Sequence, residues 1–126
     1  MSESPLRVAH IDDDDDLRAV VRLALKVNAG IDVASLGSGQ AALEVLPSFH
    51  PDIILVDLLM PGMGGVETLR ALRERMDLSQ VAVVLATGMD ELDNSQDWSD
   101  AGVAAVIRKP FDADTLALRL EGMRPR

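Results

Sequence analysis

The chain has 126 residues with no cysteine, no tyrosine and three aromatics, Phe49, Trp98 and Phe111. One domain with an aliphatic core is expected, and disulfides, thiolate metal sites and thiol nucleophiles are excluded. Twenty-one acids against twelve bases leave a net charge of -9, which opposes direct binding to nucleic acid or to anionic membranes.

The first five residues are polar and no long apolar run follows, so neither a signal peptide nor a membrane span is expected and the cytoplasm is the default location. Residues 7–11 are mostly apolar up to five consecutive aspartates, Asp12 to Asp16, and read as strand one. Leu17, Val20, Val21, Ala24 and Leu25 then recur at helical spacing, with Arg18, Arg22 and Lys26 assigned to the wet side. Asn28-Ala-Gly30 ends that helix. Residues 31–36 read as strand two, followed by a Gly-Ser-Gly turn and a helix over 40–46. Pro51 opens strand three, Ile53-Ile-Leu-Val56, which ends on Asp57; four consecutive branched residues predict burial on both faces, as in a parallel sheet.

Pro61-Gly-Met-Gly-Gly65 is a loop, and Val66, Leu69, Leu72 and Met76 line a third helix. Residues 81–86 form strand four, ending at Thr87-Gly88. Residues 90–100 should be the fourth helix, yet Leu92 and Trp98 share no face and acids crowd it, so a weakly held element is expected. Strand five covers 104–108, Lys109-Pro110 follows, and Leu116, Leu120 and Met123 face inward from a last helix. Five βα repeats with short loops predict an α/β fold, a five-stranded parallel sheet with helices on both faces. No linker or repeat interrupts it, so residues 1–126 read as one domain with its core at about 6–123.

In open parallel sheets ligands bind beyond the carboxyl ends of the strands. Asp12 and Asp13, Asp57, Thr87 and Lys109 all fall there. Three carboxylates in one crevice repel unless a cation intervenes, and Mg2+ suits carboxylate oxygens. The lysine and hydroxyl supply donors for a phosphoryl group, and an aspartate is itself a competent nucleophile. Taken singly these residues are ordinary: an aspartate run complements a helix dipole, a strand-end aspartate makes a turn, and a lone lysine is solvated. Their combination at successive strand ends reads as a Mg2+-dependent aspartyl phosphorylation site.

Ile11-Asp-Asp-Asp14, Val56-Asp-Leu-Leu-Met-Pro-Gly-Met-Gly-Gly65, Ala86-Thr-Gly88 and Arg108-Lys-Pro-Phe111 resemble the receiver domain of two-component response regulators, most of all the free-standing chemotaxis-regulator type. The resemblance runs from strand one to the last helix. It implies a flavodoxin-like (βα)5 fold with strand order 2-1-3-4-5. It further implies that Asp57 accepts a phosphoryl group from a phosphohistidine on a histidine kinase or histidine phosphotransfer protein. Asp13 would then bind Mg2+ directly, Asp12 mainly through water, and the backbone carbonyl of Leu59 would be a further ligand. Thr87 would hydrogen-bond a phosphoryl oxygen, Lys109 would pair with it through a cis Lys109-Pro110 turn, and Gly88 would leave room. Output would pass through the face of the fourth helix, fifth strand and fifth helix to a downstream protein that the sequence does not identify.

Two departures stand out. The family's aromatic three residues before the lysine is Val106 here, so the switch is muted or takes another route, with Trp98 the one ring on the face expected to change. Leu59 and Met89 hold positions that in the family tune water attack on the acyl phosphate; neither orients a water, so a long-lived phosphoryl group is expected.

Competing readings fail on particular residues. A Ca2+ loop over Asp12, Asp14 and Asp16 would need glycine at Leu17 and glutamate at Leu23. A flavodoxin would need rings over a flavin and a Ser/Thr-rich phosphate loop. A haloacid-dehalogenase-type phosphatase using Asp12 and Asp14 would leave the Asp57 motif unexplained and lacks a second acidic pair. A receiver-like binding module that is never phosphorylated would not need all five site residues. A receiver that forms part of a longer regulator stays open beside the free-standing form. His10, in a strand, and His50, in a loop, are read as structural, so the phosphodonor histidine belongs to another protein.

Overall fold

The computed structural model describes residues 4–88 and 102–124. Five parallel strands, β1 (Arg7–Ile11), β2 (Asp32–Leu36), β3 (Ile53–Asp57), β4 (Ala82–Thr87) and β5 (Ala105–Arg108), form one sheet in the order β2-β1-β3-β4-β5. Four α-helices are described: α1 (Asp15–Arg22), α2 (Gly39–Phe49), α3 (Gly65–Arg73) and α4 (Ala113–Gly122). The flavodoxin-like order expected from the resemblance is therefore present. The predicted helix over 90–100, with Met89 and Trp98, lies outside the described residues.

Alternation along β3 divides the core. Ile54 and Val56 point to the side covered by Ala42, Leu43 and Leu46 of α2 and Leu69 and Leu72 of α3. Ile53 and Leu55 point to the other side, under Val21 of α1, Leu25, and Leu116 and Leu120 of α4. All four branched residues are fully buried, as a central strand between two helical layers requires. The packing extends from Leu6 to Met123.

Local chemistry sets the helix starts. Asp14 caps α1, its Oδ1 accepting from the Leu17 amide at 3.1 Å; Ser38 Oγ does the same for the Ala41 amide at 3.1 Å, and Asp112 caps α4. Helix α2 runs past Pro47 to Phe49, beyond the predicted end at 46, because a proline in the last turn removes a single hydrogen bond and His50 then closes the helix in the left-handed region. Phe49 is thus helical, and the Arg7 guanidinium lies over its ring while donating to its carbonyl. With the 2.6 Å Arg7–Asp32 pair, this ties β1, β2 and α2 at the amino ends of the strands.

The first helix differs from its predicted face. Leu17, Val21 and Leu25 mark the centre of the buried stripe, and Val20 sits about 100° away at 100° per residue. Val20 is 54% exposed while Val21 is fully buried. Past Arg22 the chain continues as a π-helical turn, Leu23–Asn28, which keeps Ala24 and Leu25 inward and leaves Leu23 and Val27 exposed beside Val20. Arg18, expected on the wet side, instead folds back so that its Nη1 donates to the Asp12 carbonyl at 2.9 Å.

An isosteric pair checks this rotation. Val21→Thr is expected to lower the unfolding free energy in urea by about 1–3 kcal/mol, because it buries a hydroxyl. Val20→Thr should stay within about 0.5 kcal/mol; equal costs would contradict the observed face.

Candidate functional site

Because all strands are parallel, their carboxyl ends form one rim, and the strand order reverses between β1 and β3. Asp12 and Asp13 follow β1, Asp57 ends β3, Thr87 ends β4, and Lys109 follows β5. Carboxylate oxygens of Asp12, Asp13 and Asp57 lie within 4.8 Å of one another. Lys109 Nζ stands 2.8 Å from Asp12 Oδ2 and 3.3 Å from Asp57 Oδ2, bridging the two.

The three acids are not equivalent. Asp12 is completely buried; its Oδ1 accepts from the Asp14 amide at 3.0 Å and its Oδ2 faces Lys109. Asp57 is 7% exposed and makes its one close side-chain approach to Lys109 among the described residues. Asp13 is exposed. Burial, then repulsion from Asp12, push the Asp57 carboxyl up to about 6 against the pull of Lys109. Burial pulls Lys109 down, but its contacts with Asp12 and Asp57 outweigh this and the ammonium is held above its ordinary value.

The surrounding loops depend on this geometry. The Asp57-to-α3 connection turns at Gly62, with φ +76°, and the Gly65 amide donates to the Leu58 carbonyl at 2.9 Å. A Cβ at Gly65 would fall on the Asp57 carbonyl oxygen, so the second glycine of the pair is set by the approach of α3 to the end of β3. The Leu59 side chain is exposed, leaving its backbone as the part of the residue able to serve the rim. Thr87 is fully buried, its hydroxyl donating to the Gly88 carbonyl at 3.2 Å, and its own carbonyl accepts from the Lys109 amide at 2.7 Å. The Lys109-Pro110 peptide is cis. Val106 lies half-buried in β5 opposite Leu85.

Two neighbours of the acids were read from sequence only as strand and helix surface. His10 is buried beneath Asp12, its Nε2 3.9 Å from Asp12 Oδ2, neither ring nitrogen has a hydrogen-bond partner among the described residues, and burial lowers it to about 4. It is therefore neutral at physiological pH and adds no charge to the rim. Its place two residues before the aspartates, on the same side of the strand as Asp12, was the available signal. Arg18 follows Asp14 at one helical turn, and that spacing marks a side chain able to return over the cap.

These residues fit a divalent cation. Three converging carboxylates carry more negative charge than one ammonium offsets, and the donors are all hard oxygens, as Mg2+ requires.

A family model described as "Response regulator receiver domain" matches residues 8–121. Among curated proteins the chain is 30% identical over 122 residues to "Response regulator MprA" of Mycolicibacterium vanbaalenii, covering 97% of this chain and 52% of that protein. It is 29% identical over 124 residues to "Regulatory protein AtoC" of Escherichia coli, covering 94% of this chain and 26% of that one. The chain thus spans between about a quarter and about half of these relatives. Among solved structures it resembles chemotaxis protein CheY4 of Vibrio cholerae, with TM-score 0.86, 26% identity, and coverage of 94% of this chain and 98% of that one. A CheY-like receiver domain protein from Methanospirillum hungatei gives 0.79 at 28% identity, covering 94% and 93%.

The raised Asp57 carboxyl has a consequence for stability. Its folded value of about 6 exceeds the ordinary 3.8, so ionised Asp57 disfavours the metal-free fold above pH 6, and that cost fades as pH falls to 3.8. Asp57→Asn should stabilise the metal-free protein by about 1–2 kcal/mol at pH 8. Denaturant melts should show the gain shrinking through pH 6 and gone below pH 4.

Proposed function

From the premise that the chain belongs to the response regulator receiver domain family, a family of signalling modules whose partners are histidine kinases, we propose that Asp57 is its phosphoacceptor. The observation that carries this reading is the approach of Lys109 Nζ to both Asp12 and Asp57 within a trio of converging carboxylates. A carboxylate oxygen of Asp57 attacks the phosphorus of a partner's phosphohistidine. An O–P bond forms, the N–P bond breaks, and the imidazole leaves with the electron pair and takes up a proton.

Lys109, already 3.3 Å from Asp57, pairs with the charge that develops on the phosphoryl oxygens. The Thr87 hydroxyl donates to one of those oxygens, and Gly88 leaves the approach open. Asp12, Asp13, Asp57 and the Leu59 carbonyl would hold Mg2+. Bound there, the cation supplies positive charge to the transferring phosphoryl group. Asp12 suits the nucleophile of a phosphatase poorly, because it is fully buried and both its oxygens are engaged.

Output in this reading leaves through the face expected of the fourth helix, fifth strand and fifth helix, of which β5 and α4 are the described elements, without a ring at Val106 to swing. No described helix is long and apolar enough to cross a membrane. Exchange with an ATP-charged kinase places the reaction in the cytoplasm. Neither Leu59 nor Met89 carries a polar group with which to orient an attacking water, so the acyl phosphate persists in this reading.

Radiolabelled acetyl phosphate should label the chain in the presence of Mg2+ and fail without it or in Asp57→Asn; label retained in Asp57→Asn would refute the assignment. Leu59→Asn should speed loss of label about ten-fold by offering a water-orienting amide. An unchanged half-life would remove Leu59 from that role.

A further inference from the structure

Among the described residues five polar side chains are buried: His10, Asp12, Asp57, Thr68 and Thr87. Four of them are engaged. Asp12 and Asp57 face Lys109, the Thr68 hydroxyl donates to the Gly64 carbonyl at 2.7 Å, and Thr87 donates to Gly88. His10 has no hydrogen bond to the described protein at either ring nitrogen. In the sheet it stands between Ser35 of β2 and Leu55 of β3, and Leu55 belongs to the apolar layer under α1 and α4. An aliphatic side chain there would pack without leaving two buried nitrogens unpaired, which is costly. What the ring does have is a direction: its Nε2 stands 3.9 Å from Asp12 Oδ2.

That oxygen is the loosely held one of its carboxylate. Oδ1 accepts from the Asp14 amide, and the Asp12 carbonyl accepts from Arg18. Oδ2 is held by the charge of Lys109 at 2.8 Å, without the alignment of a hydrogen bond. Lys109 is also shared, with Asp57 Oδ2 at 3.3 Å. When Lys109 turns to a phosphoryl group on Asp57, Oδ2 loses its cation in a fully buried position. A buried carboxylate oxygen stripped of its partner is strongly disfavoured. His10 Nε2 is the other described side-chain donor beside it. Closing by about 1 Å brings the pair to hydrogen-bonding distance.

We propose that His10 is a positioning residue: as Lys109 leaves for the phosphoryl group, the neutral ring donates its Nε2–H to Asp12 Oδ2 and holds that carboxylate in place at the rim. No proton is transferred, and the ring keeps the Nε2–H tautomer throughout. The inference rests on the reading of Asp57 as phosphoacceptor, and it adds the group that takes over from Lys109.

Beryllofluoride, which stands in for a phosphoryl group on a carboxylate, supplies the test with Mg2+ and the full chain. Nitrogen-15 NMR of the wild type should show His10 as the Nε2–H tautomer, its Nε2–H proton moving downfield as beryllofluoride binds. A proton on Nδ1 instead, or an Nε2–H signal indifferent to beryllofluoride, would overturn the proposal. By fluorine NMR, affinity for beryllofluoride should fall about ten-fold in His10→Leu, the scale of one hydrogen bond to a buried charge. It should stay within about three-fold of wild type in His10→Gln, whose amide keeps an N–H donor. Circular dichroism confirms that both variants fold. Calorimetry should give all three proteins the same Mg2+ affinity without beryllofluoride, because Lys109 then still holds Asp12. Unchanged beryllofluoride affinity in His10→Leu, an equal loss in both variants, or a loss of Mg2+ affinity alone would mark His10 as packing and overturn the proposal. A wild type that does not bind beryllofluoride, or binding that survives Asp57→Asn, would fault the phosphoacceptor reading instead.

Discussion

Mutual repulsion among Asp12, Asp13 and Asp57 is the constraint around which the molecule is arranged. Carboxylate oxygens within 4.8 Å of one another in a partly buried crevice are costly to ionise together. Lys109 offsets part of this, and burial, followed by the remaining repulsion from Asp12, keeps the Asp57 carboxyl elevated. In the proposed reading, the residual charge turns a structural burden into an affinity for a divalent cation and a phosphoryl group. A site fully neutralised by protein cations would be more stable and would have less reason to bind either.

Holding those acids together demands a rigid frame. The central strand β3 is buried on both faces, so Asp57 is delivered to the rim by a segment with no freedom to retreat. Asp12 is fixed from three sides by the Asp14 amide, Lys109 and the Arg18 contact to its carbonyl. At the opposite end of the sheet Arg7 binds Asp32 and Phe49. Strand-end carboxylates converge because their strands are clamped elsewhere. Gly65 contributes through the side chain it lacks, letting α3 begin directly against Asp57.

The sheet and the site were legible because their signals are local. Four branched residues ending on an aspartate describe a buried parallel strand, and acids, threonine and lysine at successive strand ends describe a rim. What escaped depends on tertiary packing. Val20 has the spacing of a core residue, but only three dimensions show that the stripe is centred a quarter turn away. Apolar periodicity alone also missed the π-helical turn, the helical place of Phe49 beyond Pro47, and the inward fold of Arg18 onto the Asp12 carbonyl six residues back. His10 was visible as a strand histidine, yet its contact with Asp12 comes from the pleat and from burial together. Val106 was recognisable as a missing ring.

The claim that crowded carboxylates create the site is tested most directly by a carbon NMR titration of the Asp57 side-chain carboxyl, with and without Mg2+. Without metal the midpoint should lie near pH 6. With Mg2+ it should fall by roughly one unit or more, because an opposing charge nearby favours the ionised form. A midpoint near the ordinary 3.8 that ignores Mg2+ would contradict the account.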